Sequence, residues 1–122
     1  MGADFRTRVN AFASTLPGAS LEHPFDEGHD AWKVGGKMFT CIGARQTGVS
    51  VKTPDVETAG LMIDSGTAQR APYFHPSWVH LGPDIDDDLL RKAIDRSYAI
   101  VRGGLTKKAQ AALPPFEPRG EL

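Results

Sequence analysis

The chain has one cysteine, Cys41, in 122 residues. A lone thiol forms no internal disulfide, which excludes a disulfide-built secreted scaffold and points to a reducing compartment. No apolar run approaches the roughly 20 residues of a membrane-spanning helix. "MGADFRTRVN" also lacks the basic-then-apolar order of a secretory signal. A cytoplasmic protein with no membrane partner is therefore expected. An excess of one charge is missing as well, with 14 Lys and Arg against 15 Asp and Glu. That balance argues against a strong polyanion binder.

Metal-ligand spacing is absent too. His75 and His80 are separated by a proline and the start of a strand, while His23 and His29 lie elsewhere in the chain. Zinc needs three or four convergent ligands, and these do not form such a set. "PDIDDD" (83–88) fails as a calcium loop, because Leu89 stands where glycine is required and Asp95 where a bidentate glutamate is required. Those acids suit the first turn of a helix instead, where the helix dipole favours them. Cys41 reads as a core-facing residue of a strand, hence a buried inert thiol rather than a nucleophile. The expectation is a protein without metal, cofactor or catalytic residues, and not an enzyme.

What the sequence does contain is a clear alternation of elements. Phe5, Val9, Phe12 and Leu16 form one apolar stripe over 4–16, and "LPGAS" ends that helix. Residues 21–25 read as a short strand, kept to a sheet edge by Pro24. In "AWKVGGKMFTCIG" (31–43), Gly35-Gly36 suits a two-residue hairpin turn. Its register pairs Val34 with Lys37, Lys33 with Met38 and Trp32 with Phe39. Trp32, Val34, Phe39 and Cys41 then face the core, and Ala31, Lys33, Met38, Thr40 and Ile42 face out. "GVSVK" (48–52) adds a strand with Val49 and Val51 inward, so Lys33 and Lys52 share the outer face. Thr53-Pro54 reads as a helix start, with Val56, Ala59, Gly60 and Ile63 as its buried stripe. "SWVHL" (77–81) reads as a last strand. A strong helix capped by Asp86 follows, with Ile85 and Leu90 as its hydrophobic staple. A short helix near 105–113 precedes a proline-rich tail. The chain divides into a single domain over 1–113 and a flexible tail over 114–122. The fold class is α+β: an antiparallel sheet with helices packed on one face, in the order α-β-β-β-(β)-α-β-α.

Five segments in that order carry a resemblance: "LPGAS", "WKVGGKMF", "VSVKTPD", "WVHL" and "DRSYAIV". Over residues 5 to 102 the chain resembles the MmcQ/YjbR-like family, whose fold is similar to the CyaY (frataxin-like) sandwich. The resemblance implies weak DNA binding through the sheet, at the matched positions Lys37, Lys52, Trp78 and Ser97-Tyr98. It does not carry iron chemistry, because the first helix has only Asp4, opposed by Arg6 and Arg8. The segment 69–77 departs from relatives, being short and nearly uncharged where they carry extra basic residues.

Residues 31–54 hold Lys33, Lys37, Arg45 and Lys52 and no acid. With Arg70, Tyr73 and His75 from "RAPYFHPSWVHL" (70–81), these form the candidate nucleic-acid-binding set, acting through phosphate contact and base stacking. Two other readings compete. One is a protein partner on an apolar patch of Met38, Ile42, Tyr73, Phe74 and Trp78. The other is a small-ligand pocket around His75, His80 and Tyr98.

Overall fold

The structure, a computed structural model, describes residues 4–23, 29–43, 48–71 and 74–116. The elements are α1 (Phe5–Ala13), β1 (Ser20–Glu22), β2 (Asp30–Val34), β3 (Lys37–Ile42), β4 (Val49–Lys52), α2 (Val56–Asp64), β5 (Gln69–Arg70), β6 (Trp78–Leu81), α3 (Asp87–Gly103) and α4 (Lys107–Ala111). Each helix starts where a short oxygen-bearing side chain accepts a free backbone N–H. Asp4 takes that of Thr7 at 2.8 Å, Asp55 that of Thr58 at 2.7 Å, Asp86 that of Leu89 at 2.9 Å and Thr106 that of Ala109 at 3.1 Å. The cap of α2 is thus Asp55, not Thr53 as the sequence suggests. Thr53 is fully buried, and its hydroxyl is committed to the carbonyl of Ser77 at 2.7 Å.

The strands form one antiparallel sheet in the order β1-β2-β3-β4-β6-β5. The two-residue β5 at its edge is too short to leave a periodic signal, and the sequence reading lacks it. Gly35 and Gly36 take φ of 57° and 81°, the left-handed pair that a tight hairpin turn requires. Val34 faces Lys37 and Lys33 faces Met38, as the turn dictates. The ladder then slips: Trp32 pairs with Thr40, leaving Phe39 as an extra residue in β3. A bulge of this kind exchanges the faces of everything beyond it.

The exchange corrects three expectations. Thr40, expected outside, pairs with Trp32 and Val51 and is fully buried. Ile42, expected outside, pairs with Val49, which pairs with Leu81, and all three belong to the hydrophobic core. Cys41, expected on the core face, instead lies in the outer row with Ala31, Ser50 and His80. Its thiol is buried all the same, and that burial pushes its pKa up. The core gathers Val9 of α1, Ala59 of α2, Leu90, Ile94 and Tyr98 of α3, and the inner sheet residues. All three helices therefore feed one face of the sheet. In α2 only Ala59 is buried and Val56 is 52% exposed, so the buried stripe is narrower than the sequence suggests. Met62 and Ile63 turn partly inward beside Ala59. Phe116 packs on the Tyr98 ring at 4.6 Å, and Arg102 donates to the Pro114 carbonyl, so residues assigned by sequence to the tail lie against α3.

Two polar devices fix helices to sheet. Asp30, 4% exposed, receives Asn10 at 3.1 Å and Arg6 at 2.6 Å, both from α1. Burial alone raises its pKa, but the Asn10 hydrogen bond and the Arg6 guanidinium outweigh it and hold the carboxyl below the ordinary range. The second device is Ser97 of α3. Its hydroxyl donates to the Phe39 carbonyl and accepts the Lys52 N–H at 2.8 Å. Continuing the β3–β4 register beyond Thr40–Val51 would pair Phe39 with Lys52 directly. The hydroxyl stands between them, so the strands part there with both backbone groups satisfied.

Two outcomes test this account. Ser97→Ala leaves a buried N–H and C=O without partners and lowers stability by about 1–3 kcal/mol in urea denaturation. Unchanged stability removes the bridging role. Asp30→Asn costs about 1–3 kcal/mol at pH 7. A lowered folded-state pKa gives stability that is present above the unfolded value of ~3.9 and lost as pH falls through the folded value. The difference between wild type and variant therefore shrinks as pH falls below the ordinary carboxylate range in the same assay.

Candidate binding groove

Where β3 and β4 part, an open groove of about 300 Å³ lies at the end of the sheet. Lys37 and Met38 form one lip, Lys52 and Trp78 the other, and Ile100 and Val101 of α3 with Leu105 just beyond it the floor. Lys52 and Trp78 are direct cross-strand partners, so their side chains share a face. Antiparallel pairing brings the start of β3, the end of β4 and the start of β6 to one end of the sheet. Three distant stretches of chain thus meet there.

Lys52 is the most constrained cation of this site. Half-buried, it donates from Nζ to the Ser77 hydroxyl at 3.1 Å. His75 Nδ1 lies 2.9 Å from the same hydroxyl and accepts the Ser77 N–H at 3.1 Å. A nitrogen that accepts a backbone N–H carries a lone pair, so the Ser77 hydroxyl also donates to it. The order is Lys52 to Ser77 to His75, and the His75 proton sits on Nε2. The turn supporting this chain, His75–Trp78, closes by Trp78 N–H to His75 C=O at 2.8 Å with Pro76 in its second position. Thr53 locks that turn to β4 through its N–H and hydroxyl, both on the Ser77 carbonyl. No carboxylate among the described residues lies within ion-pair distance of Lys52 or Lys37.

The other candidates separate. Lys33 shares the outer face but is paired with Glu22 at 3.2 Å, on the far side of Met38. Arg70, exposed on β5, lines a different cleft with Phe74, Pro76 and α2, on the other flank of Trp78. Arg45 and Tyr73 lie outside the described residues. Of the set expected from sequence, Lys37 and Lys52 line one groove, and His75 stands behind Lys52 through Ser77. Ser77, which orders the two latter side chains, was not singled out; the Pro76-Ser77 turn between aromatic residues is the signal that marks it.

Of the competing apolar patch, Ile42 is fully buried and Trp78 is 9% exposed, Met38 and Phe74 are half-buried, and Tyr73 lies outside the described residues. One face of the Trp78 ring is taken by Phe74, stacked at 4.8 Å. The histidine pocket does not form. Tyr98 is fully buried with its hydroxyl on the Pro17 carbonyl, and His80 sits over Ser50 at 3.4 Å in the outer row, away from His75. Gly48, at φ +154°, presses against His80 so closely that an added Cβ would meet Nε2 at 2.3 Å.

Sheet, one-sided helices and an end groove with cationic lips define an α+β domain. The YjbR family model matches residues 14–100, and the chain belongs to that family. Among solved structures, protein DR2400 of Deinococcus radiodurans, with a DUF419 domain, superposes with a TM-score of 0.78 at 21% identity. The match covers 88% of this chain and 86% of that one, and it shows a shared fold. No curated protein sequence matches. Among the described residues no helix is long and apolar enough to cross a membrane, and no cluster of metal-ligating side chains occurs.

The hydrogen-bond order carries its own check. In nitrogen-15 spectra of the wild type His75 shows the Nε2–H tautomer, and Ser77→Ala, which keeps the backbone N–H donor, retains it. An Nδ1–H tautomer in the wild type contradicts the chain described here.

Proposed function

We propose that this protein is a non-enzymatic DNA-binding module of low affinity that takes a single strand in the groove where β3 and β4 part. The observation that carries the reading is Lys52: a half-buried cation with no carboxylate partner among the described residues, aimed by Ser77 and His75 beside Lys37 and Trp78. Cations at the lips, Lys52 held and Lys37 exposed, suit phosphates, and the apolar floor suits a base. The groove's volume, about 300 Å³, matches one nucleotide unit rather than a duplex. Ser77, Lys52 and His75 have the separations of an activated nucleophile, yet Ser77 is only 4% exposed. Its hydroxyl oxygen already accepts from lysine and its proton is committed to histidine, which favours a positioning role over attack on a substrate. The family resemblance supports the same choice of ligand, and a cytoplasmic location is consistent with the lone thiol.

Fluorescence anisotropy with a labelled single-stranded oligonucleotide tests the reading. Two phosphate contacts give a salt slope of about −1.4, so affinity falls roughly sevenfold between 50 and 200 mM salt. Lys37→Glu/Lys52→Glu weakens binding more than tenfold. Absence of saturable binding at 50 mM salt, or an unchanged affinity in the double variant, would falsify it.

A further inference from the structure

A second cleft lies between α2 and α3 and shares no lining residue with the groove. It encloses about 230 Å³ between Met62, Ile85, Leu89 and Ala93, over the buried Leu81. Its walls are almost wholly apolar, and Leu89 at its mouth is 52% exposed. Two cations reach it. Lys92 is neutralised by Asp88 at 3.2 Å. Arg96 is not neutralised.

The Nε of Arg96 is sealed from solvent and has no hydrogen-bond partner. Among the described residues its Nη2 meets only the thioether of Met62, at 3.5 Å, a weak acceptor. Among the described residues no carboxylate lies within ion-pair distance of it. The neighbouring acid, Asp95, is fully buried and engaged by Arg91 at 3.5 Å. Burial works against the charge of Arg96, lowering its pKa. A guanidinium with unused donors at the wall of an apolar cleft is complementary to one ligand chemistry, a planar monoanion with an apolar body.

We propose that the α2–α3 cleft binds a small aliphatic carboxylate, its head forked by Arg96 and its chain lying between Met62 and Leu89. The volume sets the size. About 230 Å³ falls below the ~300–1,000 Å³ of drug-sized sites and admits a chain of roughly six to eight carbons. The site stands independently of nucleic-acid binding, since it rests on different residues.

Octanoate titrated into nitrogen-15-labelled protein at pH 7 tests it. Saturable shifts are expected at the amides of Met62, Leu89, Ala93 and Arg96. Affinity weakens roughly fourfold for each methylene removed, down to hexanoate. Octanol, the neutral counterpart, binds at least tenfold more weakly, as does octanoate to Arg96→Gln. That variant melts no lower than wild type, because it deletes an unpaired half-buried charge. Octanol binding as tightly as octanoate overturns the proposal, as does unchanged octanoate affinity in a folded Arg96→Gln or shifts that never saturate.

Discussion

The molecule depends on one hydroxyl placed between two strands. Ser97 stands where the Phe39 carbonyl and the Lys52 N–H would otherwise meet, and it satisfies both. Without a bridge, parting a sheet in its interior leaves two buried polar groups unpaired, each at a cost of about 1–3 kcal/mol. With it, β3 swings away from β4 at no such cost, and the extra residue at Phe39 accommodates the change of direction. The helix that supplies the hydroxyl also supplies Tyr98, whose ring meets Phe39 edge-on at 5.3 Å. One turn of α3 therefore holds the divergent strand by a hydrogen bond and an aromatic contact at once.

The groove follows from that parting. Its lips belong to strands that would be adjacent in a continuous ladder, and its floor is the next turn of the helix that separates them. Lys52 is the hinge between backbone and site. Its N–H is held by Ser97 and its ammonium by Ser77, so both ends of the residue are fixed. A side chain with this much rotational freedom in water loses it during folding, before any ligand arrives.

Much of this was legible in the sequence because it is local. The paired glycines set the hairpin tip, alternating valines set β4, and the heptad-like stripe with Asp86 set α3. The inner and outer faces of β3 were legible only as far as Met38. Past that point the period of two continues unbroken through Thr40 and Ile42, and nothing in the chain marks Phe39 as supernumerary. The bulge is decided by Ser97 and Tyr98, about 58 residues away. The same limit applies to the site. Lys37 and Lys52 stand in an acid-free stretch and invite attention. Which lysine keeps its charge free depends on pairing across the sheet, and Lys33 loses its own to Glu22 on β1. Arg96 gave no signal at all, since its isolation is visible only once α2 lies beside α3.

The glycine turn of the hairpin has a mechanical consequence. A Cβ on Gly35 would lie 2.5 Å from Leu105, so the tip of the hairpin rests directly on the residue that follows the C-cap of α3. The strand that carries Lys37 is thus braced at two points, by Ser97 inside the sheet and by Leu105 beneath its turn. A lip supported twice, by the helix and by the turn that follows it, behaves as a fixed aperture and not as a hinged flap. Selection at such an opening rests on what fits its width, with no closing motion to adapt it to a larger guest.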